Sequence, residues 1–181
     1  MNKRVGIISG SLRCESANTI LAKALVLFSP DNSQYIDISN IPLYNQDLEK
    51  AYKGGFPTSV EYVQAQVREC THLILCIPEN TKMPSAAMKN FIDWMTRGSP
   101  TTRPPLIGKS IVMVSAAGRS CGIHAQESLT KALELDTWLE LNLLSNLNKG
   151  YNIYDGKTYF DNLQLVNQDV IDELKALMNN L

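Results

Sequence analysis

Histidine is scarce in this chain: among 181 residues only His72 and His124 occur. Neither stands at ligand spacing from a cysteine or a second histidine, so no metal centre is expected. The four cysteines, Cys14, Cys70, Cys76 and Cys121, form no C-x-x-C pair. Free thiols in a reducing cytoplasm are the expectation. An excess of one charge is lacking too, with 17 Lys and Arg against 18 Asp and Glu. That excludes the basic surface of a nucleic-acid binder, and no run of like charge reads as a tail. Apolar stretches are no longer than a strand, which argues against a membrane span. Met1-Asn2-Lys3-Arg4 is basic, but only a short apolar run follows before Ser9, so no secretory signal is expected. Three phosphate-handling signatures are also missing: GxxxxGK[ST], GxGxxG and Cys-x5-Arg. Their absence argues against a P-loop NTPase, a dinucleotide fold of the usual kind and a phosphatase loop.

What is present is an alternation of strand-sized and helix-sized patterns, long enough for one domain, 1–181. Residues 4–9, 72–78 (HLILCIP) and 109–115 (KSIVMVS) are short apolar runs of the kind buried on both faces of a sheet. Gln34–Ile38 alternates, and Trp138–Leu144 reads as the last strand. Helical spacing appears over 18–28 with Asn18 as N-cap, from Thr58 or Ser59 through Val60, Val63 and Val67, over 85–95, over 123–135 and over 167–180. Residues 39–57, with two prolines and the Gly54-Gly55 pair, read as a long loop, and 97–105, with Pro100, Pro104 and Pro105, as another. The βαβ order predicts a parallel sheet with helices on both faces. Ligands bind beyond the carboxyl ends of such strands. The polar loops 9–18, 78–85 and 115–122 fall there.

The first of these, Ser9-Gly10-Ser11-Leu12-Arg13-Cys14-Glu15-Ser16-Ala17-Asn18, runs into a helix N-terminus. Backbone N–H groups and the helix dipole favour an anion at such a point. Ser11, Ser16, Asn18 and Thr19 add side-chain donors, and Arg13 adds a charged fork suited to phosphate oxygens. A terminal monophosphate held without metal fits best. The alternative is that Ser16 and Asn18 only cap the helix and Arg13 is solvated.

Gly10, Ser11, Leu12, Arg13, Ser16, Asn18, Leu21 and Ala22 match G-S-L-R-x-x-S-x-N-x-x-L-A, and the loop thereby resembles the phosphate loop of the NADPH-dependent FMN reductase family. Pro78, Glu79, Lys89, Asn90, Asp93 and Trp94 stand in register with the second signature of that family. Residues 41–49 (IPLYNQDLE) and the closing "YDGKTYFD" resemble two further segments. The resemblance implies a flavodoxin-like α/β fold, with a five-stranded parallel sheet of order 2-1-3-4-5. It implies that Ser11, Arg13, Ser16 and Asn18 hold an FMN phosphate, and that Pro78, Glu79, Asn80 and Thr81 lie along the flavin ring. Ser115, Ala117, Gly118 and Arg119 would approach the ring edge, where reduced flavin carries charge.

Departures fall in the second and third loops. Asn80 and Thr81 replace a tyrosine and an asparagine of the family, Met83 a serine, and Ser85 and Ala86 a proline and a glycine. Ala117 replaces the first glycine of a pair. The resemblance implies hydride transfer from NADPH or NADH to flavin N5, then ping-pong reduction of a flat small-molecule acceptor such as a quinone, an azo compound or free flavin. No residue is assigned as catalytic acid or base. A homodimer or homotetramer in the cytoplasm is implied. A divergent member with weakened or lost FMN binding, acting as a small-molecule binder or interaction protein, is the alternative that the altered 80–86 loop supports. Trp94 and Asp93 read equally as helix packing and a surface group, and Cys121 as a small residue at a packed turn.

Overall fold

The computed structural model describes residues 3–29, 31–51, 55–99, 101–154 and 159–181. Met1, Asn2, Gly54, Pro100 and the 155–158 part of "YDGKTYFD" lie outside them. In chain order the elements are β1 (Val5–Ser9), α1 (Ala17–Phe28), β2 (Ser33–Tyr35), α2 (Gln46–Ala51), α3 (Thr58–Glu69), β3 (His72–Cys76), a hairpin of β4 (Glu79–Asn80) and β5 (Met83–Pro84), and α4 (Ala86–Met95). Then come β6 (Ser110–Ala117), α5 (Ile123–Leu135), β7 (Asn142–Leu143), β8 (Lys149–Asn152), a hairpin of β9 (Phe160–Asp161) and β10 (Gln164–Leu165), and α6 (Gln168–Asn180).

The main sheet is parallel in the order β2-β1-β3-β6, with β7 and β8 sharing the far edge of β6. Counted along the sheet, with β7 and β8 as one interrupted strand, this is the expected 2-1-3-4-5 order. Successive side chains on a strand point to opposite faces. Ile8, Leu73, Leu75, Ile111 and Met113 therefore pack with α3, α4 and α5. Val5, Ile7, Ile74, Cys76, Val112 and Val114 pack with α1 and α6 on the other face. With helices on both faces, β1 is buried at every residue and β3 at every residue after His72, which is why these strands read as unbroken apolar runs.

The fifth strand differs from the expected Trp138–Leu144. Thr137–Leu139 is a 3-10 turn, with Trp138 50% exposed, and Glu140 sits at φ 52, which ends any extended run. The edge position is filled by β7 opposite Ser110 and Ile111, and by β8 opposite Val114–Ala117. Between them Asn148 Oδ1 accepts from the N–H of Met113 at 2.8 Å, replacing a missing rung. β8 is Lys-Gly-Tyr-Asn, an edge segment without apolar periodicity, so its sequence carries no strand signal.

Five smaller readings also move. The second strand is Ser33–Tyr35, not Gln34–Ile38. Ser16, not Asn18, is the N-cap of α1, its hydroxyl accepting from Thr19 N–H. Pro57 occupies the N-cap of α3 in place of Thr58 or Ser59, and Glu61 Oε1 accepts from Phe56 N–H there. α2 lies within the stretch read as loop. β6 runs on through Ala117, because β8 supplies a partner for Ala116 and Ala117.

Candidate active site

The loop after β1 is fixed at its start. Gly10 N–H donates to Cys76 O at 2.9 Å, and Ser85 Oγ donates to Gly10 O at 2.6 Å. A Cβ on Gly10 would come within 3.0 Å of Met88, Pro78 and Ser85, so only glycine lets the first two loops meet this closely. Ser85 is also the N-cap of α4, accepting from Met88 N–H at 3.2 Å. Beyond Gly10 the chain opens. Ser11 N–H reaches Ser9 Oγ, and Arg13 N–H lies 3.4 Å from Ser11 Oγ. The N–H groups of Leu12, Cys14, Glu15 and Ser16 take no partner among the described residues. Arg13 is exposed and forms no ion pair with a described residue. This is a donor-rich turn at the head of a twelve-residue helix, with one uncommitted guanidinium.

Asn18 does something the sequence does not reveal. It is buried, and its amide clamps one peptide of β6: Nδ2 donates to Ala116 O at 2.8 Å, and Oδ1 accepts from Ala116 N–H at 2.9 Å. The first and third loops are thereby held at a fixed spacing.

The second loop is the β4–β5 hairpin. Its turn residues Thr81 and Lys82 both have positive φ, at 54 and 63. Glu79 faces away from the hairpin tip and onto α5. Its Oε1 accepts from the Ser120 hydroxyl, and its Oε2 accepts from Ala125 N–H at 3.1 Å. Gly122, the N-cap of α5, has no side chain to offer, so Glu79 satisfies the first turn in its place. Burial pushes the Glu79 carboxyl up. The Ser120 and backbone hydrogen bonds and the neighbouring His124 outweigh that and hold it below the ordinary value. Met83 Sδ accepts from Ser128 Oγ at 3.3 Å and pins the other strand of the hairpin to the same helix.

The Lys89, Asn90, Asp93 and Trp94 set is structural in its visible contacts. Trp94 is fully buried, donates Nε1–H to Pro42 O at 2.8 Å, and meets Tyr44 and Phe56 edge to face. Asn90 donates to Pro42 O and accepts from Tyr44 N–H. Lys89 pairs with Asp93 one turn on. Together they fasten residues 42–44 to α4.

Between the carboxyl ends of β1, β3 and β6 lies a cleft of about 510 Å³, a size ordinary for a cofactor site. Of the expected site residues, it is lined by Ser11, Arg13, Ser16, Asn18, Pro78, Glu79, Asn80, Ala117 and Gly118. Three stand outside it. Thr81 is exposed at the hairpin turn, and Arg119 is exposed beside Gly118. Ser115 is fully buried and accepts from Gln126 Nε2 at 3.0 Å. Cys121 lies in a separate cleft along α5, at φ 54, and His124 is exposed on α5. Ile153 and Tyr154 complete the wall and were missed, because they follow β8, which has no signal of its own.

A doubly wound parallel sheet with an arginine-bearing, donor-rich loop at its switch point defines a flavodoxin-like protein. The pattern of the NADPH-dependent FMN reductases matches residues 3–147, and the chain belongs to that family. It is 39% identical over 129 residues to the NAD(P)H-dependent FMN reductase PA1204 of Pseudomonas aeruginosa, a match covering 70% of this chain and just under two thirds, 66%, of that protein. It is 29% identical over 186 residues to the NADPH:quinone oxidoreductase of Arabidopsis thaliana, covering 98% of this chain and 89% of that one. Among solved structures it resembles the flavoenzyme NAD(P)H:(acceptor) oxidoreductase FerB of Paracoccus denitrificans. The TM-score is 0.79 at 23% identity, over 98% of this chain and 94% of that chain. The expected enzyme class, an NAD(P)H-dependent FMN or quinone reductase, is thus the class of its relatives. No helix among the described residues is long and apolar enough to cross a membrane.

Proposed function

We propose that this chain is an FMN-dependent oxidoreductase that draws electrons from NADPH or NADH and delivers them to a quinone, a free flavin or a similarly flat acceptor. The observation that carries this reading is Arg13, an unpaired guanidinium on a loop of uncommitted N–H groups at the head of α1. A phosphate monoester fits this end of the cleft, since the Arg13 guanidinium, the Ser16 hydroxyl proton and the N–H groups of Leu12, Cys14 and Glu15 are donors with no partner among the described residues. Ser16 accepts from Thr19 N–H through its oxygen and keeps its own proton to donate. Asn18 contributes by position, holding Ala116 so that small residues 116–118 border the cleft.

Bound FMN would supply the redox chemistry, taking hydride at N5 from the nicotinamide and giving electrons up in a second half-reaction. The chain's own work is to bind, orient and bias charge. Arg119, exposed next to Gly118, offers positive charge at the third loop. The reaction as proposed requires no dedicated general acid or base, and none is assigned.

A single domain acting in the cytoplasm as a homodimer or homotetramer completes the reading, with neither nucleic acid nor membrane as partner. Free cysteines support the compartment. Exposed Leu12, Leu43 and Met83, on segments that follow β1, β2 and β3, support an apolar contact around the site. The test is reconstitution with FMN followed by NADPH oxidation with a benzoquinone acceptor. Acceptor-dependent turnover with parallel double-reciprocal plots is expected. A protein that takes up no FMN contradicts the reading and favours the divergent binder.

A further inference from the structure

Among the described residues, Tyr154 is the only aromatic lining the 510 Å³ cleft. It is 76% exposed, so it is not spent on packing the protein's own interior. It is nonetheless held in place. Its N–H donates to Asn152 Oδ1 at 2.9 Å, and Ile153 N–H donates to Ala117 O at 2.9 Å, which extends the β6–β8 ladder to the base of the ring. The ring stands over Gly118: a Cβ there would lie 3.5 Å from Cε2 and 3.7 Å from Cδ2. An aromatic ring thus borders the cleft beside Gly118, where no side chain stands between the backbone and the cleft. Asn80 also lines the cleft and offers no aromatic surface.

We propose that Tyr154 is a specificity-determining contact for the isoalloxazine ring, supplying from the end of β8 the aromatic surface that Asn80 does not supply from the hairpin. This rests on the proposed FMN site. An exposed aromatic held by its backbone gives contact area at little entropic cost, because only its own side-chain rotation is lost on binding.

FMN titrations of the full chain, read by flavin fluorescence, test the assignment with Tyr154→Ala, Tyr154→Phe and the double variant Asn80→Tyr/Tyr154→Ala. Removing a stacked ring is expected to weaken FMN about tenfold. Bound flavin should also regain fluorescence, since a phenol against the ring quenches it. Tyr154→Phe should keep the wild-type affinity, and Asn80→Tyr should restore it in the alanine background. Because Tyr154 is exposed, the variants should melt with the wild type. Unchanged affinity and fluorescence in Tyr154→Ala overturn the assignment alone, as does a change confined to the KM for quinone. A wild type that binds no FMN overturns the proposed function and this inference with it.

Discussion

Asn18 and Ala116, 98 residues apart, are joined by two hydrogen bonds that close a ring between a side-chain amide and a backbone peptide. The amide is 5% exposed. Replacing Asn18 by Ala leaves a buried N–H and a buried C=O without partners, which costs about 2 kcal/mol. For a chain of this size that lowers Tm by roughly 4–8 °C. Differential scanning calorimetry checks this. The same variant should weaken FMN, because the first and third loops lose their fixed spacing.

Glu79 ties the hairpin to α5, and its effect depends on pH. Its folded pKa lies below the ordinary glutamate value, held down by the Ser120 and backbone hydrogen bonds. Its contribution is therefore present above that value and lost as pH falls through the folded pKa. Glu79→Gln should melt below the wild type at pH 7, and the gap should narrow as the pH falls below the ordinary carboxylate range and through the lowered folded pKa. Thermal melts of both proteins between pH 3 and 7 check it. A gap that stays constant across that range contradicts the charge assignment.

Gly122 combines a positive φ of 80 with a site where a Cβ would lie 2.3 Å from Ser115 Cβ. Gly122→Ala meets both an αL backbone and an overpacked contact, which together cost about 3 kcal/mol. A chemical denaturation curve should show a lower midpoint at unchanged slope. The loss should appear in apo protein, without any ligand.

The sequence makes some of these features legible and hides others, for physical reasons. β3 and β6 stand out because helices cover both their faces, so nearly every residue is apolar. The Ser-rich loop with Arg13 stands out because its residue types suit an anion and little else in that number. β8 stays hidden, since an edge strand of Lys-Gly-Tyr-Asn buries only Tyr151 and shows no apolar alternation. With it go Ile153 and Tyr154, whose place at the cleft depends on that strand. Asn18 was legible as a member of the loop pattern, but its partner is set by tertiary packing that local spacing does not encode. Glu79 likewise matches a motif position, while its contacts to Ser120 and Ala125 follow from where α5 begins.

As proposed, Arg13 and the loop around it hold the phosphate of FMN. Isothermal titration of wild type and Arg13→Ala with FMN and with riboflavin, which lacks the phosphate, tests it most directly. A charge-assisted pair to phosphate contributes about 1.5–3 kcal/mol, so FMN should bind Arg13→Ala roughly 10- to 100-fold more weakly. Riboflavin should bind both proteins alike, and more weakly than FMN binds the wild type. Equal loss of both ligands, or no loss of FMN, contradicts the phosphate site.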